Sequence, residues 1–119
     1  MSLEESTRDQ ISSTIEGNSI VLFMKGTRTQ PQCGFSATVI QILDQMTSEY
    51  ETINVLENPS IREGIKTFSN WPTIPQLYID GEFVGGCDII KEMFEKGDLQ
   101  TKLKEKNISY KTDTKLNSY

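Results

Sequence analysis

Residues 19–36 read S-I-V-L-F-M-K-G-T-R-T-Q-P-Q-C-G-F-S, and the fold turns on them. After the opening serine, residues 20–24 are continuously apolar, as in a strand buried on both faces. Residues 25–32 are polar, contain Gly26 and Pro31, and read as a loop. From Gly34 to about residue 49 the apolar positions Phe35, Val39, Ile40, Ile42, Leu43 and Met46 follow a helical period. Cys33 therefore stands where a loop enters a helix. Unpaired backbone N–H groups and the helix dipole favour negative charge there. Its thiol pKa should fall, and the thiolate is the form that attacks disulfides and binds metal. Three residues on stands Ser36, so no C-x-x-C pair can close an internal disulfide.

Working outward, residues 4–16 place Ile11 and Ile15 four apart and stop before Gly17-Asn18, which predicts a short amphipathic helix. Residues 51–56 read as a strand. Asn58-Pro59 opens the next helix, whose apolar face is Ile61, Ile65 and Phe68. Residues 76–79 and 82–84 on either side of Asp80-Gly81 are a strong hairpin signal. Gly85-Gly86 breaks the chain, and residues 87–96 and 98–106 read as two closing helices. Residues 107–119 show no period and read as a disordered tail beyond a single domain, residues 1–106. The order is α-β-α-β-α-β-β-α-α. Its β-α-β start implies a parallel pair, and the hairpin adds antiparallel strands. The fold expected is α/β, a four-stranded mixed sheet flanked by helices on both faces.

Composition narrows the function. The 119 residues carry a net charge of −5, and no basic patch of the kind nucleic acid requires is visible. No apolar run approaches the roughly 18 residues that span a bilayer. Two cysteines, Cys33 and Cys87, are too few for a secreted disulfide scaffold, which favours a reducing compartment. There is no histidine, which removes Cys-His and Ser-His catalysis and any histidine metal site. Cys33 is then activated by backbone, dipole or lysine. Residues 1–18 show neither a secretory signal nor an Arg-rich transit peptide.

Two blocks carry a family resemblance. The first is V-L-F-M-K-G at 21–26 followed by C-G-F-S at 33–36; the second is W-P-T-I-P-Q-L-Y-I-D-G-E-F-V-G-G-C-D at 71–88. With these at this spacing the chain resembles the single-domain monothiol (CGFS-type) glutaredoxins, over roughly residues 10–106. The resemblance implies a thioredoxin-like fold. The long loop between Lys25 and Cys33 is similar to the insertion of that class. It departs from the family pattern in one place, with Arg28 where the first of two loop prolines usually stands while Pro31 remains.

The resemblance also implies a site. Cys33 would be the nucleophile or metal ligand, and Lys25 would lower its pKa further. Arg62 and Lys66, four apart on one helical face, would join Lys25 in holding the glycine carboxylate of glutathione. Thr73-Ile74-Pro75 resembles the cis-proline loop, with the Ile74 backbone pairing with the cysteinyl backbone of glutathione. Gly86, Cys87 and Asp88 precede a helix, where backbone N–H groups would bind the γ-glutamyl carboxylate and the Asp88 side chain its ammonium. Asp88 could equally serve as a helix cap. Cys87 could pair with Cys33, be glutathionylated or do nothing; an accessory role is favoured.

Two functions compete on this reading. A 2Fe–2S cluster usually needs four thiolates. Two Cys33 thiolates and two bound glutathiones supply four at a symmetric dimer interface, from which the cluster would pass to apo iron–sulfur proteins. The alternative is a glutathione-dependent thiol–disulfide oxidoreductase acting by a monothiol mechanism, expected as a weak side activity. A redox-sensing adaptor with no cluster is a third reading, and the resemblance adds a BolA-like protein as a conceivable partner. It points to the mitochondrial matrix, with the cytoplasm as alternative.

Overall fold

β1 (Ile20–Met24) is buried along its whole length because helices cover the sheet above and below it. The computed structural model describes residues 4–108. Four strands lie in the order β2-β1-β3-β4, with β2 spanning Glu51–Asn54, β3 Gln76–Ile79 and β4 Glu82–Gly85. β1 runs parallel to β2, with Leu22 opposite Thr52, and antiparallel to β3, with Leu22 opposite Leu77. Asp80 and Gly81 both take positive φ, 52° and 79°, and close the β3–β4 hairpin.

Strand alternation divides the core in two. Ile20, Leu22, Met24, Leu77 and Ile79 face α2 (Gly34–Met46), α4 (Cys87–Lys96) and α5 (Asp98–Glu105). Val21, Phe23 and Tyr78 face α1 (Glu5–Glu16), through Ile11 and Ile15, and α3 (Pro59–Ser69), through Ile61 and Ile65. This is the mixed sheet with helices on both faces that the sequence predicts.

The departures are local and have side-chain causes. β2 ends at Asn54, two residues early, and Val55–Glu57 form a 3-10 turn. The Asn54 carboxamide oxygen accepts from Leu56 N–H at 3.0 Å, which caps the turn and draws the chain out of the sheet. α2 stops at Met46 because Thr47 is extended and its hydroxyl accepts from Glu49 N–H at 3.1 Å, a local alternative to another helical turn. Helix α5 closes on Asn107 and Ile108, the first two residues of the expected tail. Asn107 takes φ 59° and donates to Lys104 O at 3.1 Å, while Ile108 N–H donates to Leu103 O at 2.9 Å. Ile108 also packs on the core, completing a left-handed helix cap with its apolar contact. Residues 109–119 of that tail lie outside the described residues.

The loop between β1 and α2 is a small hairpin of its own. Gln32 N–H donates to Lys25 O at 2.9 Å, Gly26 bridges Pro31, and Thr27 and Gln30 exchange backbone bonds of 3.2 and 3.1 Å. Arg28 at its tip donates to Asp44 at 2.9 Å and to Ser48 O at 3.3 Å, and its guanidinium lies 3.9 Å from the centre of the Tyr50 ring. These contacts hold the loop to α2 where a proline would have stiffened it from within. At a partly exposed site each is worth about 1 kcal/mol or less.

Gly26 is the position in this loop with no tolerance. Its φ is 96°, and a Cβ there would stand 2.5 Å from Gln32 N and 2.6 Å from Gln30 O. Gly26→Ala should therefore destabilise the chain by about 2 kcal/mol or more. Gly81→Ala, also at positive φ but meeting no atom within 4 Å, should cost only about 1 kcal/mol. Denaturant unfolding of both variants checks the order.

Candidate functional site

Cys33 is the N-cap of α2, with extended φ −150° and ψ 134°, and its carbonyl accepts the Ala37 N–H at 2.9 Å. The helix thus begins directly behind the sulfur. Burial pushes the thiol up, but the backbone N–H groups of Ser36 and Phe35, the Ser36 hydroxyl and the Lys25 ammonium together outweigh it. The net result is a thiol below its ordinary value.

Ser36 does more than replace a second thiol. It is fully buried, and its Oγ accepts from Lys25 N–H at 3.2 Å, tying the end of β1 to the first turn of α2. The next residue is held as well, because Gly26 N–H donates to the Asn54 carboxamide oxygen at 2.9 Å. Lys25 is in this way fixed from α2, from β2 and from its own loop, beside the sulfur whose charge it favours.

A cleft of about 490 Å³ opens in front of Cys33. Lys25, Cys33, Lys66, Thr73, Ile74, Pro75, Gly86, Cys87 and Asp88 all line it. Arg62, the remaining predicted contact, does not; it sits one turn before Lys66 on α3, and its Nε is buried with no hydrogen-bond partner. Lys66 reaches the cleft while pairing with Glu63 at 3.3 Å. Phe35, Trp71, Pro72 and Ile89 also line the cleft and were not singled out as ligand contacts from the sequence. Their apolar character next to the thiol was the available signal. Phe35 in particular is 63% exposed, which a helix-period reading assigns to the core.

The two walls face each other closely. One is the loop of residues 71–75, with a cis Ile74–Pro75 bond. Among the described residues, the Ile74 N–H and C=O make no hydrogen bond. The other wall is the start of α4, where Gly86 is the N-cap and accepts from Ile90 N–H at 3.0 Å. The Cys87 and Asp88 N–H groups belong to the first turn and have no intrahelical carbonyl to meet. A Cβ on Gly86 would stand 3.3 Å from both Pro75 O and Trp71 Nε1, so glycine lets the walls approach.

Cys87 differs from Cys33. Burial and then the Asp88 carboxylate push its thiol up, the Cys33 charge adds to this, and Lys91 opposes it. Both thiols are free. Among the described residues no three Cys, Asp, Glu or His side chains gather closely enough to hold a metal ion.

A thiol at a helix N-terminus facing a cis-proline loop, on a four-stranded mixed sheet, defines the thioredoxin-like class. Within it, residues 20–84 match the glutaredoxin family model. A probable monothiol glutaredoxin 2 from Rickettsia typhi is 55% identical over 95 residues, which is 80% of this chain and 86% of that protein. Among solved structures, reduced apo GrxS14 from poplar superposes with a TM-score of 0.76 at 48% identity, covering 88% of this chain and 96% of that one. A monomeric truncated mutant of Trypanosoma brucei 1-C-Grx1 gives a TM-score of 0.79 at 42% identity, covering 86% and 93%. The chain belongs to the glutaredoxin family, and its near relatives are monothiol glutaredoxins.

The opposite shifts of the two thiols have a measurable sign. Cys33, lowered, gains thiolate at a pH below that of an ordinary thiol, and Cys87, raised, gains it above. Iodoacetamide labelling across a pH series, read peptide by peptide by mass spectrometry, should give two rate curves with Cys33 on the acid side. Lys25→Ala removes one favouring charge and should move the Cys33 curve toward higher pH, leaving that of Cys87 in place.

Proposed function

We propose that this protein binds glutathione in the Cys33 cleft and carries a 2Fe–2S cluster, held between two copies of the chain, to apo iron–sulfur proteins. The observation that carries this reading is one activated thiol facing a cleft whose two walls hold unpaired backbone groups. An extended peptide pairs with such groups as an added strand. The unpaired Ile74 N–H and C=O would suit the cysteinyl residue of glutathione, and its sulfur would then lie toward Cys33. The first-turn N–H groups of Cys87 and Asp88 suit the γ-glutamyl carboxylate, and the Asp88 carboxylate suits the neighbouring ammonium. Lys25 and Lys66 suit the carboxylate at the other end.

The cluster is cargo in this reading, and the donor set limits how it is held. One chain offers one thiol of lowered pKa at the cleft, with Cys87 raised beside it, and among the described residues no three ligating side chains gather to hold a metal ion. Two chains that each bring Cys33 and one glutathione supply the four thiolates without calling on Cys87, whose thiol is raised. Ser36, buried and engaged with Lys25, leaves no resolving thiol to remove Cys33 into a disulfide at that position.

The lowered Cys33 thiol favours a second reading, protein deglutathionylation. The Cys33 thiolate would attack the glutathionyl sulfur of a mixed disulfide, the protein thiolate would leave, and a second glutathione thiolate would regenerate Cys33 and release glutathione disulfide. We rank it as a side activity.

Anaerobic reconstitution with iron, sulfide and glutathione, read by visible absorption and by mass in solution, separates the two. The expected product is a coloured dimer that bleaches to monomer when glutathione is removed. Cys33→Ser should abolish it and Cys87→Ser should leave most of it. Lys25→Ala should weaken glutathione-supported assembly by about tenfold or more, the worth of one charged hydrogen bond. A colourless monomer that reduces a glutathionylated substrate at a useful rate would overturn the carrier reading.

A further inference from the structure

We infer that Gln76 is a positioning residue for the glutathione site, holding the Trp71 and Thr73 carbonyls inward and so fixing the loop that presents the Ile74 backbone to the ligand. The inference rests on the glutathione reading above and goes beyond it to a residue that touches no ligand. Gln76 is fully buried and does not line the cleft. It is the first residue of β3, directly after Pro75, on the sheet face that also carries Phe23 and Tyr78. A buried carboxamide without partners would be costly in that apolar layer.

Its partners are the wall itself. Gln76 Nε2 donates to Trp71 O at 3.1 Å and to Thr73 O at 3.0 Å. The orientation of the amide follows from this, since the reverse would set its oxygen against two carbonyl oxygens. Apart from the sheet ladder, residues 71–75 take part in one other hydrogen bond among the described residues, from Trp71 N–H to Lys66 O at 3.1 Å. One side chain therefore supplies two of the three bonds that shape this wall. With the Trp71 and Thr73 carbonyls, both just ahead of Ile74, turned toward the sheet interior, the course of the chain into Ile74 is set and the Ile74 N–H and C=O are among the groups the wall leaves unpaired.

The amide is itself held from the core. Tyr78 O–H reaches Gln76 Oε1 at 3.5 Å, a long contact, and burial pushes the Tyr78 hydroxyl up to about 12, so it remains a donor. The Tyr78 ring packs edge-on against Phe23 at 5.7 Å and Phe83 at 5.5 Å, and Phe83 in turn meets Trp71 at 5.6 Å. The wall is anchored through Gln76 by hydrogen bonds and through Phe83 by ring packing.

The test uses Gln76→Met, which keeps an unbranched side chain of similar length and removes both donors. The chain's single tryptophan, Trp71, lines the cleft and reports glutathione binding by its fluorescence. The Met variant should raise the glutathione Kd about tenfold, while the iodoacetamide rate of Cys33, set on α2, changes less than about twofold. A folded Met variant that melts lower yet binds glutathione as the unaltered chain does would overturn the inference and make Gln76 a scaffold residue only. Should the Met variant fail to fold, Tyr78→Phe removes the hydroxyl contact and keeps the ring. A two- to threefold weakening, roughly half a hydrogen bond, supports the inference, and an unchanged Kd contradicts it. Absence of binding by the unaltered chain would overturn the glutathione reading and this inference with it.

Discussion

The hydrogen bond from Lys25 N–H to the buried Ser36 hydroxyl fastens the end of the central strand to the first turn of the helix that carries the thiol. Much of the site depends on it. It fixes how α2 begins, and so places the N–H groups of Phe35 and Ser36 around the Cys33 sulfur. It also fixes Lys25 beside that sulfur, together with the bonds from Gln32 N–H to Lys25 O and from Gly26 N–H to Asn54. A second thiol at position 36 would give up these roles, because a sulfhydryl is a poor acceptor for a backbone N–H. The same serine therefore explains the activation of Cys33 and the lack of a resolving partner beside it.

The cleft extends this logic to ligand binding. Its walls come from segments far apart in the chain, the loop of residues 71–75 and the start of α4, and Gly86 lets them close. One wall offers a strand edge at Ile74, the other a helix N-terminus at Cys87 and Asp88, and two lysines supply positive charge. These are complementary to a short, zwitterionic, peptide-like thiol with a carboxylate at each end. Cys87, raised, beside Cys33, lowered, makes the cleft asymmetric, with the thiolate favoured at one sulfur and disfavoured at the other.

Most of the architecture was legible because it rests on short-range pattern. The apolar run at 20–24, the helical period from Gly34 and the Asp80-Gly81 turn each carry their own signal, and β3 and β4 fall where those signals put them. What was not legible depends on side chains meeting across the chain. Asn54 looks like strand until its carboxamide is seen accepting from Gly26, 28 residues away, and Leu56. Arg28 looks like a lost proline until Asp44, Ser48 and Tyr50 are seen around it. Arg62 and Lys66 share a helical face, but one turn separates them by about 6 Å along the axis, and the cleft reaches only the second. Gln76 gave no signal at all, since a polar residue opening a strand usually marks an exposed edge.

The most direct measurement is a glutathione titration of the isotopically labelled, reduced chain followed by backbone amide shifts. The account predicts saturable changes confined to Lys25, residues 33–36, Lys66, residues 73–76 and residues 86–89. Changes centred at the opposite pole, around Tyr50 and Asp80, or none at saturating glutathione, would contradict it.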